Sequence, residues 1–499
     1  MDEKRRKPGC PKSSRRHSSL TRREFVSTAS KLVAASVLAG ATGITPGKAW
    51  SSTFDLPFWT SATAKSDVFV VKDIPAPSFS LAGGALPPGP SDQVLRDAGI
   101  DALISLMGKQ GQPFFRTTVS PQGLVARDSL VVIKINGQWV GEGYDSGAGR
   151  LGTNTDLLKG LIWRILNHPD GFVGEVVVAE NVQDIGMPDF PTRTPANAQD
   201  QTQSLANVIA VFQGMGRPVS VQDWTGLNDH LLPGGNFGSG PASSEYANGN
   251  MADGYVLLHD NTPGVKPTNG YSYPKFRTAG GRYVSMRHGL WDGASYQPGR
   301  LVFINMPVLK KHGMAGTTAA WKNYIGFQTV MGYDGSRFES WEAMHTFFWG
   351  MGDPDNVYGL IGRHISLVRL PDLNLVDAVW VAIDNNYASG SAVRRNVILS
   401  SRDPFAVDWY ASEYVLRPVV PDAPNDSSLA RGGIFRSASV VNQKAAKNTW
   451  VGVYPFMDFE AGYSGVTPLN TEKNQMNVFL ASASPTGSIP AIINTLLEG

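Results

Sequence analysis

Lys310 and His312 stand two residues apart, just after an apolar run that ends in Asn305-Met306-Pro307, and Lys322-Asn323 follow a short distance on. The sequence predicts Leu301–Asn305 as a buried strand, Lys310 and His312 in a Gly-flanked loop, and a helix from about Thr317 to Tyr324 that Gly316-Thr317-Thr318 can start. Two ammonium groups, an imidazole and an amide converging at the carboxyl end of a parallel strand suit a carboxylate, phosphate or enolate-like oxygen. Loops at such strand ends are where α/β sheets bind ligands. Spacing alone fits equally a solvated Lys310–Lys311 pair and a His312 that caps a turn.

Other charges sit where apolar runs make them costly. Lys134 and Asn136 end the run Leu130-Val131-Val132-Ile133-Lys134-Ile135-Asn136, so Lys134 needs a carboxylate partner or a ligand. Asp377 is embedded in Leu375–Ile383 and needs a cation or metal. Asp403 precedes Pro404 and reads as a helix cap, whereas Asp408 lies inside that helix and does not. Gly147-Ala148-Gly149-Arg150-Leu151-Gly152 has dinucleotide-motif spacing, but it does not turn directly out of its strand as that motif must. The helix entry at Asn154–Asp156 could offer free N–H groups to an anion, with Asp156 opposing a strongly charged one. No G-x-S-x-G elbow, H-E-x-x-H pair or P-loop is present.

These residues need a scaffold, and the periodicity supplies one. Strand Leu130–Asn136, a helix carrying Leu157, Leu158, Leu161, Ile162, Ile165 and Leu166, and strand Gly174–Glu180 follow in order. A helix near Gln201–Met215 and a strand at Val219–Trp224 continue the βαβ alternation of a parallel sheet covered by helices. Tyr255–Leu290 reads as antiparallel decoration; strands at Leu375–Ile383 and Val397–Leu399 and a helix from about Pro404 to Val415 complete the core. The expected class is α/β, a mostly parallel sheet flanked by helices, with loop-rich insertions near 231–290 and 418–448. The expected organisation is one domain over 50–499.

Residues 1–49 read as a twin-arginine export signal: a basic lead, Thr21-Arg22-Arg23-Glu24-Phe25-Val26, a weakly apolar run to Ile44, then Gly47-Lys48-Ala49. Ser27 stands where Lys is common. The expected partner is the twin-arginine translocase and the expected location periplasmic or extracellular. The signal holds 11 of the 44 Lys+Arg and 3 of the 42 Asp+Glu, leaving 33 basic against 39 acidic residues. That balance offers no footprint for nucleic acid. The only cysteine, Cys10, lies in the signal, so the mature chain is expected to have no disulfide, thiolate nucleophile or iron–sulfur cluster. No later stretch is apolar enough to span a membrane. A metal, if bound, would be a divalent cation on oxygen ligands.

The segment Asn-Met-Pro-Val-Leu-Lys-Lys-His-Gly…Trp-Lys-Asn-Tyr-Ile-Gly resembles the central motif of the domain-of-unknown-function 362 family. Ile133–Asn136, Thr153–Asp156, Leu375-Val376-Asp377-Ala378 and Ser401–Asp408 are similar to its flanking elements, over about Val68–Leu416. Ala378 stands where the family usually has Gly, and Asp384-Asn385-Asn386-Tyr387 replaces a more Gly-rich loop. The resemblance implies no activity. Some members carry ferredoxin-like cysteine motifs that this chain lacks. The matching positions are Lys134, Asn136, Lys310, His312, Lys322, Asn323, Asp377, Asp403 and Asp408.

Three functions stay open. In an enzyme acting on a small anion by hydrolysis or lyase/isomerase chemistry, Lys134, Asn136, Lys310, Lys322 and Asn323 would hold the substrate. His312 would transfer protons, and Asp377 or Asp408 would orient a base or bind a cation. The alternatives are a non-catalytic ligand- or cofactor-binding protein and a structural protein.

Overall fold

The computed structural model describes residues 65–77, 79–86, 92–139, 149–181, 190–224, 255–257, 270–312, 316–327, 368–383, 391–421, 476–483 and 493–495. The signal, Gly147-Ala148, the insertion at 231–253, Asp384–Tyr387 and most of 418–448 lie outside them.

Eleven strands among these residues form one sheet. In chain order they are β1 (Ser66–Lys72), β2 (Leu130–Ile135), β3 (Glu175–Glu180), β4 (Val219–Asp223), β5 (Leu301–Met306) and β6 (Val308–His312). Then come β7 (Gly316–Thr318), β8 (Leu373–Ala382), β9 (Ala392–Ser401), β10 (Met476–Ser482) and β11 (Ile493–Thr495). The order across the sheet is β11-β10-β1-β9-β8-β5-β2-β3-β4, with β6 pairing both β7 and β8. The run β8-β5-β2-β3-β4 is parallel throughout. β9 runs against both of its neighbours. The α/β class is therefore the observed one.

The helices are α1 (Ala98–Lys109), α2 (Thr155–Leu166), α3 (Leu205–Gly214), α4 (Ala320–Asn323) and α5 (Pro404–Tyr410). Every residue of β2 is buried, which is why its sequence is apolar on both faces rather than alternating. Val131, Ile133 and Ile135 pack with α1, α2 and α3, whereas Leu130 and Val132 pack with α4 and α5. By the same period-2 alternation Lys134 belongs to the α4 side. A four-stranded antiparallel sheet (Lys275–Arg277, Tyr283–Ser285, Gly289–Trp291, Tyr296–Gln297) covers that side through Phe276, Val284 and Leu290.

Local chemistry accounts for the helix ends. Asn154 accepts the N–H groups of Asp156 and Leu157 and starts α2, and Ser204 with Asn207 forms a capping box on α3. Asp403 accepts the Ala406 N–H at 3.2 Å, the cap expected of it, and also the Ser66 hydroxyl at 2.6 Å.

The region after Asn305 departs from expectation. Lys310 and His312 lie in strand β6, not a loop, and Gly316-Thr317-Thr318 pair with His312, Lys311 and Lys310 as β7 instead of starting a helix. The reason is β8, ten residues long, which pairs first with β5 and then with β6. Pro307, lacking an N–H, interrupts the run, and its carbonyl accepts the Asp377 N–H at 2.8 Å. The helix shrinks to Ala320–Asn323 followed by a 3₁₀ turn, Tyr324–Phe327. β9 is likewise longer than the three residues expected, and α5 ends in a wide π turn, Ala411–Leu416. No helix among the described residues is long and apolar enough to cross a membrane.

Candidate functional site

The chain leaves β2 towards β3 and β4 on one side and returns to place β5 on the other. The connections after β2 and β5 therefore lead to opposite sides of the sheet, the kind of point at whose carboxyl ends α/β sheets are expected to form a ligand crevice. Lys134 and Asn305 come from those ends.

Lys134 is 1 % exposed, and its three donors are all taken. Nζ donates to Glu180 Oε1 at 2.7 Å, Ile135 O at 2.8 Å and Asn323 Oδ1 at 3.1 Å. Glu180 ends the neighbouring strand β3. Its Oε2 accepts the Gly137 N–H at 2.7 Å, and Oε1 accepts the Asn181 N–H at 2.8 Å. Burial pushes Lys134 below the lysine range and Glu180 above the carboxylate range, and each charge opposes the other's shift. Three acceptors around the ammonium and only donors around the carboxylate suit the ionised pair.

A line of amides orients Asn323. Asn374 donates to the carbonyls of Ser401 and Arg402, so its Oδ1 faces Asn305, which donates to it at 3.0 Å and to Ala320 O at 2.8 Å. Asn305 Oδ1 in turn accepts from Asn323 Nδ2 at 2.8 Å. Because the line starts on carbonyls, each amide has one orientation, and Asn323 must present its oxygen to Lys134 and to Asn136 Nδ2.

Lys310 enters from β6 and is 5 % exposed. Its Nζ donates to Leu151 O at 2.9 Å, Gln138 Oε1 at 3.0 Å and Asn136 Oδ1 at 3.4 Å, all neutral oxygens. Burial, then the charges of Lys322 and Lys134, lower its pKa to about 7 against the pull of Glu180. Lys322, on α4, is half-buried by surface. Desolvation of its ammonium, then Lys134, bring it also to about 7. His312 is buried at the end of β6 and falls on the same side of the strand as Lys310.

Asp408 does not face the lysines as a base. From α5, Oδ1 accepts the Ala320 N–H at 2.8 Å and Oδ2 the Trp321 N–H at 2.9 Å, so it caps α4, whose own N-cap residue Ala319 supplies no side-chain bond. Burial raises it to about 8, with Asp403 adding to the shift and the two N–H groups opposing it.

Asp377 is placed elsewhere. Leu375 and Val379, on its side of β8, pack with α1–α3. Its carboxylate accepts the Asn154 N–H at 2.7 Å, the Val379 N–H at 3.0 Å and the Asn197 amide at 3.4 Å. Among the described residues its partners are amides. Burial carries it to about 7, with Asp97 and Asp156, not the lysines, as the charges acting on it.

The structure thus brings together Lys134, Asn136, Lys310, Lys322 and Asn323, adds Glu180 and Asn305, and sets Asp377 apart. Glu180 was visible in the sequence only as a carboxylate ending an apolar strand. Gly326 was visible as the motif's last glycine, and packing explains it: a Cβ there would lie 2.6 Å from Lys134 Nζ and 2.9 Å from Glu180 Oε1. Gly152 is similar, since a Cβ would lie 2.6 Å from Asn136 O. The described part of the Gly-rich motif therefore packs on the end of β2.

Gly326→Ala must displace the ends of the Lys134 and Glu180 side chains; if the buried pair is parted, denaturant unfolding should show a loss of about 3 kcal/mol or more. An unchanged midpoint would mean that the pair relaxes freely. A second expectation concerns pH. Asp97, Asp377 and Asp408 keep protons in the fold up to about 7, 7 and 8, against 3.8 when unfolded, so stability falls as pH rises through that window. Lys310 and Lys322 lose protons in the fold near 7, against 10.5 unfolded, so stability recovers as pH rises further. The Tm of the ligand-free protein should pass through a minimum near neutral pH. Lys310→Met should flatten the alkaline recovery, and Asp408→Asn the acid-side decline. A Tm maximum at neutral pH would contradict both.

Neither a curated protein nor a solved structure matches the chain. Residues 301–413, which run from β5 into the turn after α5 and include Lys310, His312, Lys322, Asn323, Asp377 and Asp408 but not Lys134 or Glu180, match the family model described as Domain of unknown function (DUF362).

Proposed function

We propose that the crevice between the carboxyl ends of β2 and β5 binds a small carboxylate or phosphate. One observation carries this reading. Three lysine ammonium groups gather there, and Glu180 is the carboxylate that acts on all of them. A buried excess of positive charge is unfavourable until an anion enters. Lys310 and Lys322 are the binding cations. Lys134 and Asn323 act through position, since their polar atoms already serve one another and Glu180.

A divalent cation does not fit this donor set. Asp377 and Asp408, the carboxylates that could have held one, accept backbone N–H groups, and the remaining carboxylate at the crevice, Glu180, is taken by Lys134 and two backbone N–H groups. His312, beside Lys310 on β6, is the proton-transfer group in a hydrolase or a lyase/isomerase. A non-catalytic binding protein would use the same lysines without needing the imidazole.

Inorganic phosphate and small dicarboxylates, titrated by calorimetry, should bind and raise the Tm. Lys322→Ala should weaken binding at least tenfold with the fold intact. His312→Ala should spare affinity and, in an enzyme, abolish turnover. Variants that lose stability but show no anion-dependent Tm would favour a structural role. The export reading stands on the Arg22-Arg23 motif. Replacing both with Lys should leave the protein in the cytoplasm, and undiminished export of that variant would refute it.

A further inference from the structure

We propose that the cleft between α1, α2 and β8 binds a small zwitterion of the α-amino acid type. Its ammonium group meets Asp97 and Asp156, and its carboxylate meets Arg394. This cleft lies on the α1–α3 side of the sheet, apart from the lysines, and the proposal does not depend on the anion site above.

Ile74, Pro75, Asp97, Asp156, Trp380 and Arg394 are among the residues that line the cleft. Asp97 caps α1, accepting the Ile100 N–H at 2.9 Å. Gly160 lets it lie against α2, because a Cβ there would be 2.3 Å from Asp97 Cβ. Asp156 stands in the first turn of α2. Trp380 and Arg394 are cross-strand neighbours on β8 and β9. Ile74 and Pro75 follow β1 and give the cleft an apolar wall. The space, counted to its open mouth, is about 250 Å³, so only a small molecule fits.

Both signs of charge are short of partners here. Asp97 is 7 % exposed and has no ion-pair partner among the described residues. Lys159, the cation acting on it, stands beside Asp156 instead, 3.7 Å from its Oδ1. Burial, with the Asp156 charge adding to it, pushes Asp97 up to about 7. Arg394 donates Nη1 to Gln199 Oε1 at 3.0 Å and Nε to Asn396 Oδ1, both neutral oxygens. Its Nη2 makes no hydrogen bond with a described residue. Arg150 lies 3.7 Å over the Trp380 ring and donates to Ala198 O at 3.0 Å, again without a carboxylate partner among the described residues. Burial, then the Arg394 charge, lower Arg150, and Asp156 opposes them. A lone cation would suit the aspartates and be repelled by the arginines; a lone anion would do the reverse. A zwitterion answers both, its ammonium donating to the carboxylates and its carboxylate accepting from Arg394 Nη2.

Calorimetric titration of the purified protein with glycine is the test. Glycine should bind, and methylamine and acetate, which carry one charge each, should both bind at least tenfold more weakly. Glycine affinity should rise as pH rises through about 7, because Asp97 ionises there. The charged groups facing Asp97 are Asp156 and Lys159 of α2, Asp377 of β8 and, across the cleft, Arg394 of β9. Asp97→Asn, which retains a capping side chain, should weaken glycine binding at least tenfold and flatten the pH profile. Arg394→Gln should abolish the preference for glycine over methylamine. Absence of glycine binding, acetate or methylamine binding as tightly as glycine, or folded variants that bind glycine like the wild type would each overturn the proposal. Should neither variant fold, the wild type decides it alone: a clear glycine preference with a rising pH profile supports the cleft, and equal affinities or a flat profile refute it.

Discussion

Burying the Lys134 ammonium against Glu180 sets the terms for everything around it. An ion pair withdrawn from water is tolerable only if every remaining donor and acceptor is met. The structure meets them with main-chain groups at the ends of adjacent parallel strands, Ile135 O, Gly137 N and Asn181 N, and with one side chain, Asn323. Strand pairing fixes where the first three lie: Lys134 is in register with Ala179, one residue before Glu180. Asn323 has no such guarantee, and two devices place it. The amide line from Asn374 through Asn305 turns its oxygen inward, and Asp408 fastens the first turn of α4 to α5. Gly326 is the remaining condition, because a Cβ there would displace the ends of both side chains of the pair.

Much of the scaffold was legible because periodicity is a local property. The β2–α2–β3–α3–β4 alternation follows from apolar runs and helical spacing, and the caps at Asn154 and Asp403 from residue type. That Lys134 needed an opposite charge was also legible, since an apolar strand offers none. What could not be read are relations set by register. Asp408 caps a helix 88 residues away, and no spacing within α5 shows that. Asp377 and Lys134 both sit in buried parallel strands, but whether they share a face depends on how β8, β5 and β2 align. Gly316-Thr317-Thr318 reads as a helix start by type, yet becomes a strand because β8 extends past the end of β5 and gives β6 a partner, against whose other edge β7 pairs.

The face on which each charge lies decides the chemistry. Asp97, Asp156 and Asp377 gather on the α1–α3 side, the lysines at the crevice. Had Asp377 met Lys310, the two would have formed a second ordinary ion pair, the carboxylate lowered and the ammonium raised. Separation produces the opposite on both sides. Asp97 and Asp377 are raised, chiefly by burial with neighbouring aspartates adding to it, and Asp377 is met by backbone N–H groups. Lys310 and Lys322 are lowered, chiefly by burial and then by neighbouring lysines, against the single opposing charge of Glu180. The sheet thus keeps apart charges that would cancel, and an unneutralised, half-deprotonated lysine at a strand end is the consequence. Each side is met by a different kind of partner, N–H groups for Asp377 and neutral oxygens for Lys310.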